Sequence, residues 1–501
     1  MMMANLVLSC VLTTRVVALP TMSFGRQMMR FEAMGMEVSE GKKAMRPSKG
    51  AEERLAPPKY SYFFTQRLDH FDGSNPTTFQ QRYFVNSSFF DGSGPVFLCV
   101  GGEGPAMSED VLYSSAHCND MTELATQVGG LMFALEHRYY GNSIPAASRK
   151  YLSSQQAVAD IGSFVQSMTE TYRLDIKGKN KWTTWGGSYP GMLAGFARLK
   201  LPHLIHAASS SSSPWRAVVD MPEYNDRVGH ALSIETVGGS ELCRSIVEDG
   251  HEQIGRMFAS NQSAEVAQKF NFCSNAQLAT SAAQKNFAGY GVISFDAQDN
   301  DPASTKPASN VETICAALLA AKGDNVDKLA AVSKIQSNNR CLGLVTTDLY
   351  AALQDDDDDI VRTDSLSWPY QTCSQFGFYQ TCEIGSRCPW TKGYVTLEDE
   401  ASFCPTAFNI PMEQISENVA FSNAYYGSDT PEVTRIFFAN GDVDPWGGLG
   451  VIDAPKGSKV LQVNGSAHHT WTHDKKDIVQ DSVHEAKLLI QQQMLLWLQE
   501  D

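Results

Sequence analysis

The sequence lacks long hydrophobic runs, since no stretch of about 18 consecutive apolar residues occurs in the chain. A membrane-spanning helix is therefore not expected. Positive charge is also scarce, because 40 lysines and arginines stand against 56 aspartates and glutamates, for a formal net charge of −16. Proteins that bind nucleic acid present basic surface, so no nucleic-acid partner is expected. Hydrophobic residues make up 43% of the chain, which is typical of a globular protein.

The cysteines lack the Cys-x-x-Cys spacing that is typical of zinc sites and thioredoxin-like sites, and no metal or other cofactor is predicted. Eight of the 11 cysteines lie in one stretch of the chain. An even, clustered set without metal spacing favours disulfides and an oxidising compartment. These disulfide candidates are Cys243, Cys273, Cys315, Cys341, Cys373, Cys382, Cys388 and Cys404. Cys99 lies in an apolar segment and is predicted to be a buried reduced thiol.

The amino-terminal region has the features of a segment that is removed or unfolded in the mature protein. Residues 1–20 contain an apolar stretch, Leu6 to Leu12, that could be a signal peptide, although no basic segment precedes it. Residues 21–59 show no hydrophobic period and are interpreted as a disordered propeptide or linker. Three Asn-x-Ser/Thr glycosylation sequons fit the same interpretation, at Asn86, Asn261 and Asn464. We therefore predict a secreted or lysosomal/endosomal protein.

The length of 501 residues exceeds the size at which a single core stops growing, so two domains are expected. Residues 60–213 alternate strand and helix patterns, which indicates a mostly parallel sheet with helices on both faces. Residues 214–411 are helical in period and hold the cysteine cluster. We interpret them as a disulfide-stapled helical insertion domain. Residues 412–501 return to the α/β pattern and complete the core.

The predicted core strands are mostly short apolar runs, as strands buried on both faces of a sheet should be. They are expected at residues 79–85, 95–100, 130–136, 181–185, 434–439 and 459–463. The core helices are expected at residues 119–128 and 153–172, from the segment after residue 188 to Lys200, and at residues 482–498.

Ser188 lies between a predicted strand and a predicted helix, in the segment Gly186-Gly-Ser-Tyr-Pro-Gly191. A serine in such a turn is typical of the nucleophile elbow of α/β-hydrolases, where small neighbours allow a strained backbone. The segment departs from the Gly-x-Ser-x-Gly pattern, because Pro190 replaces the second glycine. Proline is tolerated there, since the first helical turn does not need its N–H. The alternative is a glycine-rich turn with an incidental serine.

A serine nucleophile needs a base and an orienting carboxylate, which follow it in α/β-hydrolases in the order acid, then histidine. Asp444 and His468 follow two successive predicted strands, so all three side chains are expected at the carboxyl edge of the sheet. We predict Asp444 as the acid and His468 as the base. Asp442 as the acid, and His469 or His473 as the base, are alternatives.

An oxyanion hole is expected beside the nucleophile. The backbone N–H of Tyr189, the residue after the serine, is one predicted donor. The second is predicted from the glycine-rich loop after an earlier strand, at Gly102 or Glu103. This loop is not a phosphate cradle, because the Lys-Ser/Thr ending of a P-loop is absent.

Several longer motifs are similar to those of one family, that of lysosomal Pro-Xaa carboxypeptidase, dipeptidyl peptidase II and thymus-specific serine protease. The run from Tyr370 to Cys382 resembles most the thymus-specific branch. The matching motifs span residues 66–469, and they are Gln66-Arg-Leu-Asp-His-Phe71, Gln81-Arg-Tyr-Phe-Val85, Gly101-Gly-Glu-Gly104, Glu136-His-Arg-Tyr-Tyr-Gly141, Gly186-Gly-Ser-Tyr-Pro-Gly191, Tyr370-Gln-Thr-Cys373, Asn440-Gly-Asp-Val-Asp-Pro-Trp446 and His468-His469.

The resemblance implies the same triad of Ser188, Asp444 and His468. It also implies a hydrophobic pocket for proline that involves Met192 and Trp446, for which plain core packing is the alternative. Two disulfides follow from it as well, Cys373 with Cys404 and Cys273 with Cys341. The segment Thr470-Trp471-Thr472 departs from the family pattern, so the strictness of the proline preference stays open.

These features together predict a serine peptidase that acts on short peptides by an acyl-enzyme mechanism. An insertion between the nucleophile strand and the acid strand emerges at the active-site edge, and a roofed site favours chain ends over folded proteins. We expect an exopeptidase that cleaves after proline, releasing a dipeptide or a single carboxy-terminal residue. A homodimer is left open. The alternatives are an esterase or lipase of the same fold, and a catalytically silent binding protein.

Overall fold

The computed structural model describes residues 61–114, 117–344, 366–474 and 478–500, together with the backbone of a short strand at Val17–Leu19. Apart from that strand, the predicted signal peptide at 1–20 and the predicted propeptide or linker at 21–59 lie outside the described residues. Val17–Leu19 pairs in parallel with Leu342–Leu344. In the described part of the chain, no helix combines the length and the apolar character that crossing a membrane requires.

An eight-stranded sheet forms the centre of the fold, in the order β8-β7-β6-β5-β3-β4-β2-β1. Strand β2 pairs antiparallel with both of its neighbours, β1 at the edge of the sheet and β4. All the other neighbouring pairs in the sheet are parallel. The strands are β1 (Tyr62–Arg67), β2 (Thr78–Asn86), β3 (Val96–Val100), β4 (Leu131–Leu135), β5 (Trp182–Gly187), β6 (Ile205–Ser211), β7 (Ile436–Gly441) and β8 (Lys459–Val463).

Helices cover both faces of this sheet, as the alternating pattern predicted. Val96, Leu98 and Val100 pack on one side with α2 (Ser154–Tyr172) and α3 (Tyr189–Lys200). Phe97 and Cys99 point to the opposite side, where α1 (Asn119–Gln127) and the carboxy-terminal helix α14 (Asp481–Gln499) lie. Every residue of β3 and β4 is buried, because side chains that alternate between two covered faces must all be apolar. The α/β-hydrolase fold predicted from the sequence is confirmed.

The segment between β6 and β7 is largely helical, and its apolar side chains join the core cluster on the α2 and α3 side of the sheet. Its α-helices are α4 (Pro222–Ala231), α5 (Glu241–Ala259), α6 (Ser263–Lys269), α7 (Ser281–Ala288), α8 (Val311–Ala320), α9 (Asn325–Gln336), α10 (Ser367–Gln371), α11 (Leu397–Ala401), α12 (Phe403–Phe408) and α13 (Met412–Tyr426). Two short strands, Val218–Asp220 and Gly377–Tyr379, pair in parallel within it. A π-helical turn at Thr372–Phe376 follows α10.

Short 3₁₀ helices connect several of these elements. They lie at Glu109–Leu112, Arg149–Tyr151, Glu235–Val237, Asn275–Leu278, Pro445–Leu449 and Thr470–Thr472.

Four disulfides staple the insertion, which confirms the prediction of at least three. They join Cys243 to Cys315, Cys273 to Cys341, Cys373 to Cys404 and Cys382 to Cys388. The second and third of these are the pairs that the family resemblance implied. All four close loops inside the segment, so none ties it to the sheet.

The prediction of a reduced thiol at Cys99 is wrong, because Cys99 forms a fifth disulfide with Cys118. Cys99 lies near the carboxyl end of β3, and Cys118 directly precedes α1. The helix packs on the sheet face to which Cys99 points, which brings the two Cα atoms within 6.0 Å. The two cysteines are 19 residues apart in sequence and meet across a strand-to-helix connection. The clustering of the other eight cysteines gave no indication of this pairing.

Strand β6 was not predicted, because its second half, Ser209–Ser211, consists of serines that suggest a loop. In the structure these serines are buried, and two of their hydroxyls have hydrogen-bond partners. The Ser210 hydroxyl donates to Gly191 O at 2.8 Å, and the Ser211 hydroxyl accepts from Trp471 Nε1 at 2.8 Å. Small polar side chains that find hydrogen-bond partners nearby in space can therefore replace the usual apolar side chains in a central strand.

Candidate active site

Ser188 lies in the turn between β5 and α3 with backbone angles of φ 63° and ψ −135°. Such positive φ values are strained for any residue other than glycine, and strain of this kind clusters at functional sites. The neighbouring glycines are required by close contacts. A Cβ on Gly186 would lie 2.5 Å from the backbone of Pro190, and one on Gly191 would lie 2.3 Å from Ser213 Oγ. The segment thus has the geometry of a nucleophile elbow.

Asp444 and His468 form a buried ion pair at the same edge of the sheet. His468 Nδ1 lies 2.8 Å from Asp444 Oδ2, and because a carboxylate only accepts, the ring N–H donates. The other Asp444 oxygen accepts from the N–H of Trp446 at 3.0 Å, which fixes the carboxylate. The opposite ring nitrogen, His468 Nε2, has no hydrogen-bond partner within the described residues. It is the nitrogen that remains available for proton transfer.

Ser188 and His468 follow the carboxyl ends of β5 and β8, two strands that run in the same direction. The Ser188 hydroxyl is not hydrogen-bonded to His468 Nε2 within the described residues. Such contacts are often long without substrate and tighten in the Michaelis complex.

Neither Asp442 nor His469, the alternatives adjacent to the predicted pair, forms such a pair within the described residues. Asp442 is half-buried, and its Oδ1 has no partner in the described part of the chain. His469 Nδ1 lies 3.1 Å from Thr472 Oγ1, and its backbone N–H donates to Ser212 Oγ. Its ring packs beneath the elbow, since a Cβ on Gly187 would lie 2.6 Å from His469 Cγ. His469 therefore supports the turn that carries Ser188.

The two adjacent histidines have opposite electrostatic surroundings. Burial alone would lower the pKa of His468, but the Asp444 carboxylate and its hydrogen bond outweigh burial and raise the pKa above its usual value. For His469, burial and then the neighbouring imidazoles, with His468 first, hold the pKa well below the usual value. Of the two, His468 is therefore the one that can pick up a proton.

The loop after β3 presses against the elbow. A Cβ on Gly102 would lie 2.3 Å from Pro190 Cγ, so only glycine permits this approach. Tyr189 is the first residue of α3, and its N–H has no partner in the preceding helical turn. The two predicted sources of oxyanion donors are therefore adjacent. The Glu103 N–H interacts with its own carboxyl group, which leaves Gly102 as the better candidate in the loop.

The carboxyl group of Glu103 is a feature that the sequence analysis missed, since only the backbone of this residue was considered. Its Oε2 is buried and has no hydrogen-bond partner among the described residues. Burial raises the pKa of Glu103 to about 7, and His468 is close enough to counteract that effect.

The two predicted pocket residues differ in their surroundings. Met192 is buried in the core cluster around α3, as in its alternative interpretation of plain packing. Trp446 is buried in the same cluster, but its ring lies against insertion residues, with ring centroids 5.3 Å from Tyr224 and 5.4 Å from Phe378, and 6.4 Å from the His468 ring. An aromatic wall therefore adjoins the histidine.

A second buried network connects the insertion to the elbow. Gln371, at the end of α10, donates to the Tyr189 hydroxyl at 2.7 Å and accepts from the Tyr140 hydroxyl at 2.5 Å. The Tyr189 hydroxyl also lies 3.1 Å from His137 Nε2. Burial lowers the pKa of His137 to about 4, so this imidazole is neutral and can accept. Two of the family-like motifs, 136–141 and 370–373, thus meet at the residue after the candidate nucleophile.

The three sequons differ in accessibility. Asn86 is buried, and its Nδ2 donates to Leu112 O, so the structure does not favour it as a glycan acceptor. Asn261 and Asn464 are exposed. Among the residues that the structure describes, no group of three or more histidine, cysteine, aspartate or glutamate side chains is arranged to hold a metal ion.

Comparison with known proteins places these features in context. Residues 66–490 match the family model described as Serine carboxypeptidase S28. The chain is 32% identical to thymus-specific serine protease from Homo sapiens over 454 residues, 86% of this chain and 85% of that protein. The mouse (Mus musculus) protein of the same name is 31% identical over 87% of each chain. Lysosomal Pro-X carboxypeptidase from Homo sapiens is 24% identical over 87% of this chain and 88% of its own length.

Proposed function

The chain belongs to the serine carboxypeptidase S28 family and is a serine peptidase, and from this premise we propose that it is an exopeptidase for short peptides. We assign Ser188 as the nucleophile, His468 as the general base and Asp444 as the acid that orients it. The observation that carries the assignment is the buried His468–Asp444 pair at the sheet edge that also holds the strained Ser188 turn.

In the proposed mechanism, Ser188 Oγ attacks the scissile carbonyl carbon while His468 Nε2 takes the hydroxyl proton. The tetrahedral oxyanion accepts hydrogen bonds from the N–H groups of Tyr189 and Gly102. His468 then gives the proton to the leaving amine, and an acyl-enzyme ester remains on Ser188. Water, activated by the same imidazole, hydrolyses this ester and restores the enzyme.

Contacts between the insertion and the site support exopeptidase action. The backbone N–H of His468 donates to the backbone oxygen of Gln298 at 3.0 Å. The side-chain oxygen of Gln298 accepts from Trp446 Nε1 at 2.7 Å. On the other side of the elbow, Gln371 bonds to Tyr189. An insertion held at both places restricts access to the site, which favours chain ends over folded proteins.

A preference for proline is the finer part of the proposal. Trp446, Tyr224 and Phe378 form an aromatic wall beside His468, and flat aromatic surfaces suit the compact apolar ring of proline. A relative named lysosomal Pro-X carboxypeptidase supports the same choice.

The proposal is tested with a fluorophosphonate probe and a library of short peptides read by mass spectrometry. We expect covalent labelling that Ser188→Ala abolishes, together with trimming of peptide ends and a bias for proline at the cleaved bond. Internal cuts in casein without terminal trimming would contradict exopeptidase action. Hydrolysis of p-nitrophenyl esters without any peptide cleavage would favour the esterase alternative, and absence of labelling would favour a silent binding protein.

The raised pKa of His468 predicts how the activity depends on pH. A base must be unprotonated to act, so kcat/KM should fall as the pH decreases through the pKa of His468, with a midpoint above the ordinary value of about 6.5. Asp444→Asn removes the carboxylate that raises the pKa, so the midpoint should move to lower pH. The measurement is kcat/KM against pH for one short peptide with both proteins. A wild-type midpoint near pH 5 would contradict the assignment of this pair.

We place the protein in the secretory pathway. Five disulfides favour an oxidising compartment, and the exposed sequons at Asn261 and Asn464 are available for glycans. One of the relatives described above, lysosomal Pro-X carboxypeptidase, carries a name that fits.

A further inference from the structure

We propose that Glu103 and Asp299 bind the ammonium group of a peptide's amino terminus, so that the enzyme trims its substrates from that end. The inference rests on the proposed exopeptidase function and decides which chain end enters the site. Its basis is the placement of two carboxyl groups near His468, one from the core and one from the insertion.

Glu103 is the contribution from the core. It belongs to the loop after β3 that touches Pro190 of the elbow through Gly102, so its side chain starts beside the nucleophile turn. The residue is part-exposed, but Oε2 is buried and without a hydrogen-bond partner in the described residues. A buried carboxyl oxygen without a partner is costly, and a charged N–H donor from the substrate would satisfy it.

Asp299 is the contribution from the insertion. It directly follows Gln298 in the chain. The backbone oxygen of Gln298 accepts from the backbone N–H of His468, and its side-chain oxygen accepts from Trp446 Nε1. Asp299 is exposed, and its charge raises the pKa of His468, as does that of Glu103. Both carboxyl groups are therefore within electrostatic reach of the proposed base.

The surrounding charges favour an ammonium over a carboxylate. Within the described residues, no lysine or arginine is among the charges that shift the pKa of Glu103. A cation does lie near the site, since Arg227 of α4 packs against Gly447 and Gly448 beyond Trp446. Arg227 is not among the charges that act most strongly on His468, whereas Asp299 and Glu103 are. The charges of two carboxyl groups thus act more strongly on the proposed base than that of this guanidinium.

The test uses one short proline-containing peptide in three forms: with free termini, with an acetylated amino terminus, and with an amidated carboxyl terminus. Acetylation removes the ammonium charge and should lower kcat/KM about 100-fold, since two charge-assisted hydrogen bonds are lost. Amidation should change kcat/KM less than about 3-fold. Tolerance of acetylation combined with loss on amidation would overturn the inference while leaving the exopeptidase proposal intact.

Variants separate the subsite from general effects on the enzyme. Glu103→Gln and Asp299→Asn should each raise KM for the free peptide and shrink the difference between the free and acetylated forms by about 10-fold or more. Ser188 should still be labelled by the fluorophosphonate probe in both variants, which shows that the nucleophile remains intact. Arg227→Gln and Glu413→Gln, an exposed residue of α13, are the controls and should keep the wild-type ratio. A collapse of activity in Arg227→Gln together with sensitivity to amidation would assign the site to the carboxyl terminus instead.

Failure of the underlying function gives a different result. If Ser188 is labelled but no form of any short peptide is cleaved, the exopeptidase proposal fails and this inference fails with it. If peptides are cleaved equally well in all three forms, only the amino-terminal subsite is refuted.

Discussion

Ser188→Ala and His468→Ala should each lower the kcat for a short peptide by roughly 10⁴-fold or more, because the members of a catalytic triad act as a unit. Neither substitution should unfold the protein. Ser188 already has a strained backbone that alanine tolerates about equally. His468→Ala removes the ring bond to Asp444, but the Asp444 carboxylate keeps the hydrogen bond from the Trp446 N–H. The measurement is single-substrate kinetics, with far-ultraviolet circular dichroism as the check on folding.

The neighbouring carboxylates and histidines serve as matched controls. Asp444→Asn should cost somewhat less than the serine or histidine variants, because the imidazole remains but loses its orienting charge. Asp442→Asn should have little effect, since Asp442 forms no hydrogen bond or ion pair with His468 or His469 within the described residues. A dead His469→Ala variant alongside an active His468→Ala variant would show that the base has been assigned to the wrong histidine.

Asp160→Asn should reduce the free energy of unfolding by about 3–5 kcal/mol, because it leaves the buried Arg138 guanidinium without its counter-charge. The Arg138 side chain is completely buried. Its Nε lies 2.7 Å from one Asp160 oxygen, and its second nitrogen lies 2.6 Å from the other. It also donates to the backbone oxygens of Arg67, Leu68 and Tyr151, which ties β1 to α2.

The control for this substitution is an exposed ion pair on α5. Arg256 and Glu252 are joined at 2.5 Å, but their side chains are 63% and 70% exposed. Glu252→Gln should therefore change the stability by less than about 0.5 kcal/mol. Urea unfolding of both variants, with the disulfides intact, gives the comparison. A loss in Asp160→Asn no larger than that in Glu252→Gln would mean that the buried pair contributes little net stability.

Elements whose sequence pattern reflects burial were predictable. Strands β3 and β4 are buried at every position and are apolar at every position, so their location was predicted within about two residues. Helix α2 and strand β8 were also predicted within about two residues, although neither is buried or apolar at every position. Strand β6 was missed because its burial depends on hydrogen bonds to Gly191 and Trp471, which are distant in sequence.

The site shows the same division. The order of serine, acid and histidine along the chain, together with the strands that precede them, was enough to predict that Asp444 and His468 lie close together. Contacts between side chains from separate segments were not predictable. The Gln371 bond to Tyr189 joins residues 182 positions apart, and the exposed part and the buried oxygen of Glu103 depend on how two loops pack. A single sequence carries no signal for such pairings.

The position of β7 in the sheet has a consequence for biosynthesis. Its neighbour β6 ends at Ser211, but β7 begins only at Ile436, after the whole stapled segment. At about 5–20 residues per second, the ribosome makes these intervening residues in roughly 11–45 s. For that time the edge of β6 that later pairs with β7 has no partner, and an unpaired strand edge can associate with other chains. Of the three proposed catalytic residues, Asp444 and His468 are synthesised last. A peptidase that works through them is therefore inactive until its synthesis is nearly complete.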